Sequence, residues 1–312
     1  MDSIHSETNH RQNMHIIQFR PGLKILGVGT GLKCVFLAGI ALNALSAQTD
    51  SPAEQLREKE LEFSRCAEVK GIRSAFLEYF DDACIVFAPQ PTNGKAAYAA
   101  NSDSGSSLVW APTVVELSSS GDFGYTTGPS EYREKKLPAD SAYCGHFFSV
   151  WKKDRVGQWK VILDIGIGYP RKEKREEALR LRQLPSNSRN VEMPRAAGSS
   201  PWLEADSNYS AIVQDEGSIV GLERYGTEEI RVYRKGKFPA EGLDAASRLV
   251  RDEKYSMFKF TAGQISSAGD LGYSYGLAVT STADTSNYIR VWKRYDEWKL
   301  VVDIVKPWGR KK

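Results

Sequence analysis

Apolar positions recur at helical spacing just after residue 50, and from about residue 109 onward they alternate with polar ones as strands do. Ser51 as N-cap, Pro52 at the first position and Glu54 in the first turn predict a helix start. Leu56, Phe63 and Ala67 mark its apolar face, which ends near Gly71. A second short helix carries Ile72, Ala75, Phe76, Tyr79 and Phe80 until Asp81-Asp82 breaks it. Residues 83–88 read as a strand stopped by Pro89, and Asn93-Gly94-Lys95 turns the chain into a third short helix. Strands follow at 109–117, 123–133, 143–153 and 158–167, the last two forming a hairpin around Asp154-Arg155-Val156-Gly157. Pro170 closes this region. Residues 171–201 read as a linker: 171–182 is highly charged, with the pattern of a short exposed helix, and 184–201 is rich in Pro, Ser, Asn and Gly.

The same plan then returns. Helices are predicted at 202–214, 218–225 and 241–250, with strands at 229–234, 255–265, 271–281, 287–294 and 298–305. The wording returns too. Ser119-Ser120-Gly121-Asp122-Phe123-Gly124-Tyr125 reappears as Ser267-Ala268-Gly269-Asp270-Leu271-Gly272-Tyr273, and Val150-Trp151-Lys152-Lys153 reappears as Val291-Trp292-Lys293-Arg294. The period is far longer than the roughly 20–50 residues of a solenoid, so it reads as a duplicated domain. Helices first and an antiparallel sheet after is an α+β order. The expectation is two domains, 51–170 and 202–307.

Composition adds little to this. The 312 residues hold 42 basic and 39 acidic side chains, a net +3, with no basic block that would mark nucleic acid as a partner. The N-terminus differs from the rest. Arg20, Lys24 and Lys33 precede an apolar run at 34–45, followed by Ala44-Leu45-Ser46-Ala47 and the polar Gln48-Thr49-Asp50. This reads as a secretory signal over 1–47, cleaved near Ala47, or else as an uncleaved anchor, with Met1 or Met14 as the start. Cleavage would leave a periplasmic or secreted chain without a membrane span. Cys34 would leave with the signal. Cys66 and Cys84 are then either a bridge or buried thiols, and Cys144 is left over. No phosphate-binding glycine loop, Gly-x-Ser-x-Gly or Cys/His metal spacing occurs, so neither a cofactor nor a metal is expected.

Several pieces together carry a resemblance. They are the short helices, a strand ending in Ala88-Pro89, the Asn93-Gly94-Lys95 turn, Ser120-Gly121-Asp122-Phe123-Gly124-Tyr125-Thr126-Thr127-Gly128, and the hairpin with Trp159-Lys160-Val161-Ile162-Leu163-Asp164-Ile165-Gly166. The pattern resembles the SnoaL-like members of the nuclear transport factor 2-like superfamily, and more narrowly the DUF4440 family. It covers 53–170 well and 202–306 more weakly. The resemblance implies two tandem cone-shaped domains, each a curved antiparallel sheet wrapped around two or three N-terminal helices, with a pocket at the open end. It implies no single activity, since proteins of this shape include isomerases, cyclases, dehydratases and non-catalytic binders.

The hairpin suggests where chemistry would sit. If Trp151 faces Trp159, then His146 faces Asp164, with Cβ atoms about 5 Å apart. A histidine beside a carboxylate in an apolar pocket is suited to acid/base work. The pocket His and Asp of the resembling polyketide cyclases point the same way. The pair would otherwise orient a ligand, or the Asp would cap a turn or pair with Lys or Arg. A one-residue slip would put the two on opposite faces. Arg290 interrupts the Trp-bearing face of the second copy, so Trp151, Trp159, Trp292 and Trp298 are expected on an outer or interface face, or else in the core. On the first alternative the two domains pack there as a pseudo-dimer. The aliphatic face would line the pocket, with Trp110, Tyr125, Tyr132, Phe148 and Ile162 around a small apolar organic ligand. The competing reading is a non-catalytic binding or assembly module using the Trp-rich faces.

Overall fold

The structure, a computed structural model, describes residues 51–100, 105–135, 138, 142–185 and 200–309. The expected signal segment lies outside these. Helix α1 (Pro52–Lys70) opens on Ser51, whose Oγ accepts the Glu54 N–H at 3.2 Å. Gly71 ends it at φ +86°, a conformation only glycine adopts without strain, and α2 (Ile72–Tyr79) starts at once. Then come β1 (Phe80–Phe87), β2 (Pro91–Asn93), α3 (Gly94–Ala100), β3 (Ser107–Trp110) and β4 (Val114–Leu117). The first half ends with β5 (Phe123–Arg133), β6 (Tyr143–Lys153), β7 (Trp159–Tyr169) and β8 (Arg180–Gln183). The second half runs α4 (Pro201–Asp215), α5 (Ser218–Tyr225), β9 (Gly226–Arg234), β10 (Ala240–Glu241), α6 (Leu243–Val250), β11 (Tyr255–Ile265), β12 (Leu271–Thr280), β13 (Thr285–Arg294) and β14 (Trp298–Pro307).

The fold is α+β. The first sheet has the order β2-β1-β7-β6-β5-β4-β8, with β3 also on β5, and the second has the order β10-β9-β14-β13-β12-β11. Both are mixed sheets, not purely antiparallel ones: β1 runs parallel to β7, β9 to β14 and β8 to β4. In each half the strand that follows the first two helices pairs with the last strand of the antiparallel meander, β1 with β7 and β9 with β14. The predicted strand at 109–117 is two strands, since Ala111-Pro112 interrupts the ladder. The charged stretch at 171–182 holds only one short 3-10 turn, Arg171–Glu173, and its end, β8, extends the first sheet.

Hairpin register decides which residues face the helices. Lys153, not Trp151, lies opposite Trp159, because Asp154 Oδ1 collects the N–H groups of Val156 and Gln158 and holds a tighter loop. A bulge follows, with Trp151 opposite Val161 but Val150 opposite Leu163. The displacement is therefore odd, and it puts His146 opposite Ile167 and Asp164 opposite Ser149. His146 and Asp164 are on opposite faces and are not cross-strand neighbours.

The face assignment is likewise inverted. Phe147, Trp151, Trp159 and Val161 pack with Leu56 and Phe63 of α1 and with Phe76 of α2. Trp292 and Trp298 do the same under Trp202 and Tyr209 of α4. We call this the inner face. The tryptophans are not on an interface. Arg290, which pointed outward in the sequence, is also inner and buried, because carboxylates pair with it. The aliphatic side is the outer face. There Phe148, Val150, Ile162 and Leu163 of the first sheet share one core with Tyr273, Ile289, Val291 and Val302 of the second.

Contacts across that core come in reciprocal pairs. Ser119 N–H donates to Asp270 at 3.0 Å, and Ser267 donates to Asp122, its counterpart. Lys293 bonds Glu116, and Lys152 bonds Gln264 at 3.0 Å. The two Gly-Asp turns thus meet each other. Among the described residues, no helix is long and apolar enough to cross a membrane. Phe148 is fully buried between the sheets, so Phe148→Ala should cost about 3 to 5 kcal/mol in urea denaturation. A change at the exposed loop residue Val156 should stay within about 0.5 kcal/mol.

Candidate functional site

The inner face of each half is organised by a carboxylate on its first helix. In the first half this is Glu60, which sits on the stripe with Leu56, Phe63 and Ala67 and is fully buried. It accepts from Trp110 Nε1 at 2.6 Å, Thr126 Oγ1 at 2.6 Å and Trp151 Nε1 at 2.7 Å. In the second half Asp206 takes the same place between Trp202 and Tyr209. It accepts from Ser274 Oγ at 2.7 Å and Trp292 Nε1 at 3.1 Å. Strand pairing makes these true counterparts. Thr126 lies opposite Ser149 as Ser274 lies opposite Arg290, and Ser149 lies opposite Asp164 as Arg290 lies opposite Asp303.

The two inner faces differ in charge balance. In the second half Arg290 Nη1 lies 3.2 Å from Asp206 and its Nε 3.5 Å from Asp303. Arg234 holds the other Asp303 oxygen at 2.7 Å and also bonds Glu253 at 2.6 Å. Every carboxylate there has a cation, which is what burial of charge requires. In the first half Ser149 stands where Arg290 does. Its hydroxyl donates to Asp164 Oδ2 at 2.8 Å, and no ion pair to Asp164 or Glu60 forms among the described residues. Asp164 is half-buried, and Gly166, two residues on along the same face, is exposed, with nothing within 4 Å of a Cβ placed there.

The carboxyls respond accordingly. Burial pushes Asp164 up to about 6, against the lowering effects of the Ser149 hydroxyl and the distant Lys306 charge. Burial pushes Glu60 up to about 7, its three donors offsetting only part of the shift and the Asp164 charge adding to it. Cys84 and Tyr98 share this neighbourhood, and both are raised, chiefly by burial and then by the Asp164 charge. Cys66, Cys84 and Cys144 are free, buried thiols.

The other expected site residues are dispersed. Trp110 is on the inner face with Glu60. Tyr125, Phe148 and Ile162 lie in the core between the sheets, where Tyr125 donates to Glu116 at 2.7 Å. Tyr132 is near the end of β5, between Leu108 and Tyr143, with its hydroxyl 3.2 Å from Ser106. His146 is fully buried on the outer face, with Nε2 2.6 Å from Glu177, which also bonds Arg231 of β9. Burial alone would raise Glu177, but the His146 hydrogen bond and the Arg231 charge hold it at about 2. His146 is thus a strut joining β6, the segment before β8, and β9. Two cavities, about 450 Å³ at the Arg234–Glu253 rim and about 660 Å³ beside Glu177 and Phe238, do not include Asp164 in their linings.

Sequence reasoning missed Glu60, Ser149, Glu177 and Arg231. Glu60 was findable: an acid at helical spacing between Leu56 and Phe63 falls on the buried stripe, as Asp206 does between Trp202 and Tyr209. Glu177 and Arg231 carry no local signal, because their meeting depends on how the halves pack.

No family model matches the chain, and no curated protein matches it. Solved structures similar to part of it include an NTF-2 like protein of unknown function from Shewanella oneidensis, 14% identical over 37% of this chain and 98% of that one, at TM-score 0.31. A ketosteroid isomerase-like protein from Erwinia carotovora atroseptica is 13% identical over 37% of this chain and 95% of its own, at TM-score 0.31. An NTF2-like protein from Cytophaga hutchinsonii is 15% identical over 34% and 93%, at TM-score 0.29. Likeness at these values carries no argument about activity.

The raised Glu60 has a consequence for stability. Its folded value of about 7 exceeds its ordinary 4.5, so the folded chain binds the extra proton between the two. Its contribution is full below the lower value and is lost as pH rises through the upper. Between about pH 5 and about pH 8 the parent chain should lose about 2 to 3 kcal/mol that Glu60→Gln does not lose. Urea denaturation of both chains at the two pH values checks this.

Proposed function

We propose that each half is a cone, and that the first cone binds a small organic molecule at its mouth and exchanges a proton with it through Asp164. One observation carries this reading: Asp164 is an inner-face carboxylate left without a cation, while its counterpart Asp303 is clamped by Arg234 and Arg290. An uncompensated carboxyl in an apolar setting is costly to keep, and such groups collect at sites of function. Ser149 occupies Oδ2 and steadies the carboxylate, which leaves Oδ1 for a ligand proton. With its pKa pushed up to about 6 by burial, Asp164 is ionised near neutral pH yet basic enough to take a proton, as isomerisation or dehydration requires. His146 has no part in this step, because it lies on the other face, tied to Glu177.

The second cone serves as scaffold in this reading. Its inner charges are satisfied internally, and its outer face covers that of the first, as an internal pseudo-dimer supported by the reciprocal Ser119–Asp270 and Ser267–Asp122 contacts. Assembly through exposed tryptophan faces has no support, since those tryptophans pack beneath helices. Export with cleavage near Ala47 is part of the proposal and rests on the sequence at 34–47 alone. Mass measurement of the protein from its native host should then give a chain starting at Gln48; an intact N-terminus would contradict export by cleavage.

Paired aspartate variants separate site from scaffold. Asp164→Asn should leave stability within about 1 kcal/mol while abolishing binding of any hit from a small-molecule thermal-shift screen. Asp303→Asn should cost more stability than Asp164→Asn, because it leaves Arg290 and Arg234 with only Asp206 and Glu253 to balance them, yet leave those hits bound. Hits that survive Asp164→Asn would contradict the assignment.

A further inference from the structure

The second cone shows what the inner face of this fold holds when its two carboxylates are both engaged. The guanidinium of Arg290 lies between Asp206 and Asp303, with its central carbon 4.5 Å from the Tyr209 ring, 4.7 Å from Phe258 and 4.3 Å from Tyr288. It is therefore enclosed by three aromatic faces and two acids, a setting that favours a delocalised cation.

The first cone repeats this enclosure position by position. Glu60 stands for Asp206, and Asp164 for Asp303. Phe63, three residues beyond Glu60, stands for Tyr209. Trp110 pairs with Ser130 as Phe258 pairs with Ala278, and Phe147 pairs with Gly128 as Tyr288 pairs with Gly276. The rings remain neighbours, with Phe63 and Trp110 centroids 4.9 Å apart and Trp110 and Phe147 centroids 6.3 Å apart. Only the cation is missing, since Ser149 replaces Arg290. Glu60 is already served by Trp110, Thr126 and Trp151, so the less satisfied acceptor is Asp164, which has the single Ser149 donor and lies two residues before the exposed Gly166.

We propose that the first cone takes a small organic cation of guanidinium or amidinium type, seated against Asp164 where the second cone seats its own Arg290. This deepens the ligand-binding reading of the first cone and rests on it. The acids alone would not carry the assignment. It is carried by the same positions, in the same chain, ligating a guanidinium on the other side of the pseudo-symmetry. The difference between the cones is then that one has its cation built in and the other receives it from solution.

The test uses the full chain and a matched pair of probes, methylguanidinium and the neutral, similarly shaped N-methylurea, followed by NMR titration of the resonances of Ser149, Asp164 and Gly166. Methylguanidinium should bind at least about tenfold more tightly than N-methylurea, as a charge-assisted bond to a carboxylate implies. Asp164→Asn should remove that preference. Ser149→Arg, which supplies the missing side chain internally, should abolish methylguanidinium binding and raise the denaturation midpoint. Should either variant fail to fold, the other still decides. Equal affinity for the two probes, with shifts at Asp164, would overturn the cation assignment and leave the ligand site standing. Shifts from neither probe would overturn both, and methylguanidinium binding unchanged in Ser149→Arg would overturn the positional argument.

Discussion

In each half a carboxylate on the first helix accepts hydrogen bonds from a strand hydroxyl and an indole N–H, and this contact locks helix to sheet. Glu60 with Thr126 and Trp151, and Asp206 with Ser274 and Trp292, are the two versions. A buried acid is expensive unless its oxygens are satisfied, so the sheet must present its tryptophan side to the helices and no other. Once that side is committed, the aliphatic side is left bare, and the two bare faces cover each other. The packing of the halves follows from a polar requirement inside each one.

The same acid creates a second problem, which the halves solve differently. Two carboxyls buried on one inner face resist ionisation, chiefly because burial removes their water. The second half neutralises them with Arg290 and Arg234, and it gains rigidity at the expense of any open chemistry. The first half leaves Asp164 with one hydroxyl donor, and burial makes both of its carboxyls weaker acids than usual. Function in this account is the part of the electrostatic problem that the first half leaves unsolved.

Much of the architecture was legible in the sequence, because helix stripes, caps and turn residues act locally. The Gly-Asp turns and the helix breaks at Gly71 and Gly217 are examples. The faces of the hairpin were not legible. Their assignment depended on an Asp154-centred loop and a bulge at Val150/Trp151, and an odd displacement reverses every side chain. Arg290 misled for a related reason: an arginine in a strand reads as solvent-facing until its partners, distant in sequence, are known. Asp164 stood out as a candidate without its true neighbour, Ser149. His146, the sole histidine beyond the signal segment, drew attention through residue type, although its partner Glu177 comes from a stretch that looked like linker.

The central claim is that Asp164 is a carboxyl without a cation, and its own titration tests that most directly. Side-chain carboxyl NMR of the full chain, assigned by loss of the signal in Asp164→Asn, should show a midpoint near 6. A midpoint at or below the ordinary aspartate value of 3.8 would mean that a positive charge compensates it, and the distinction between the two halves would fall.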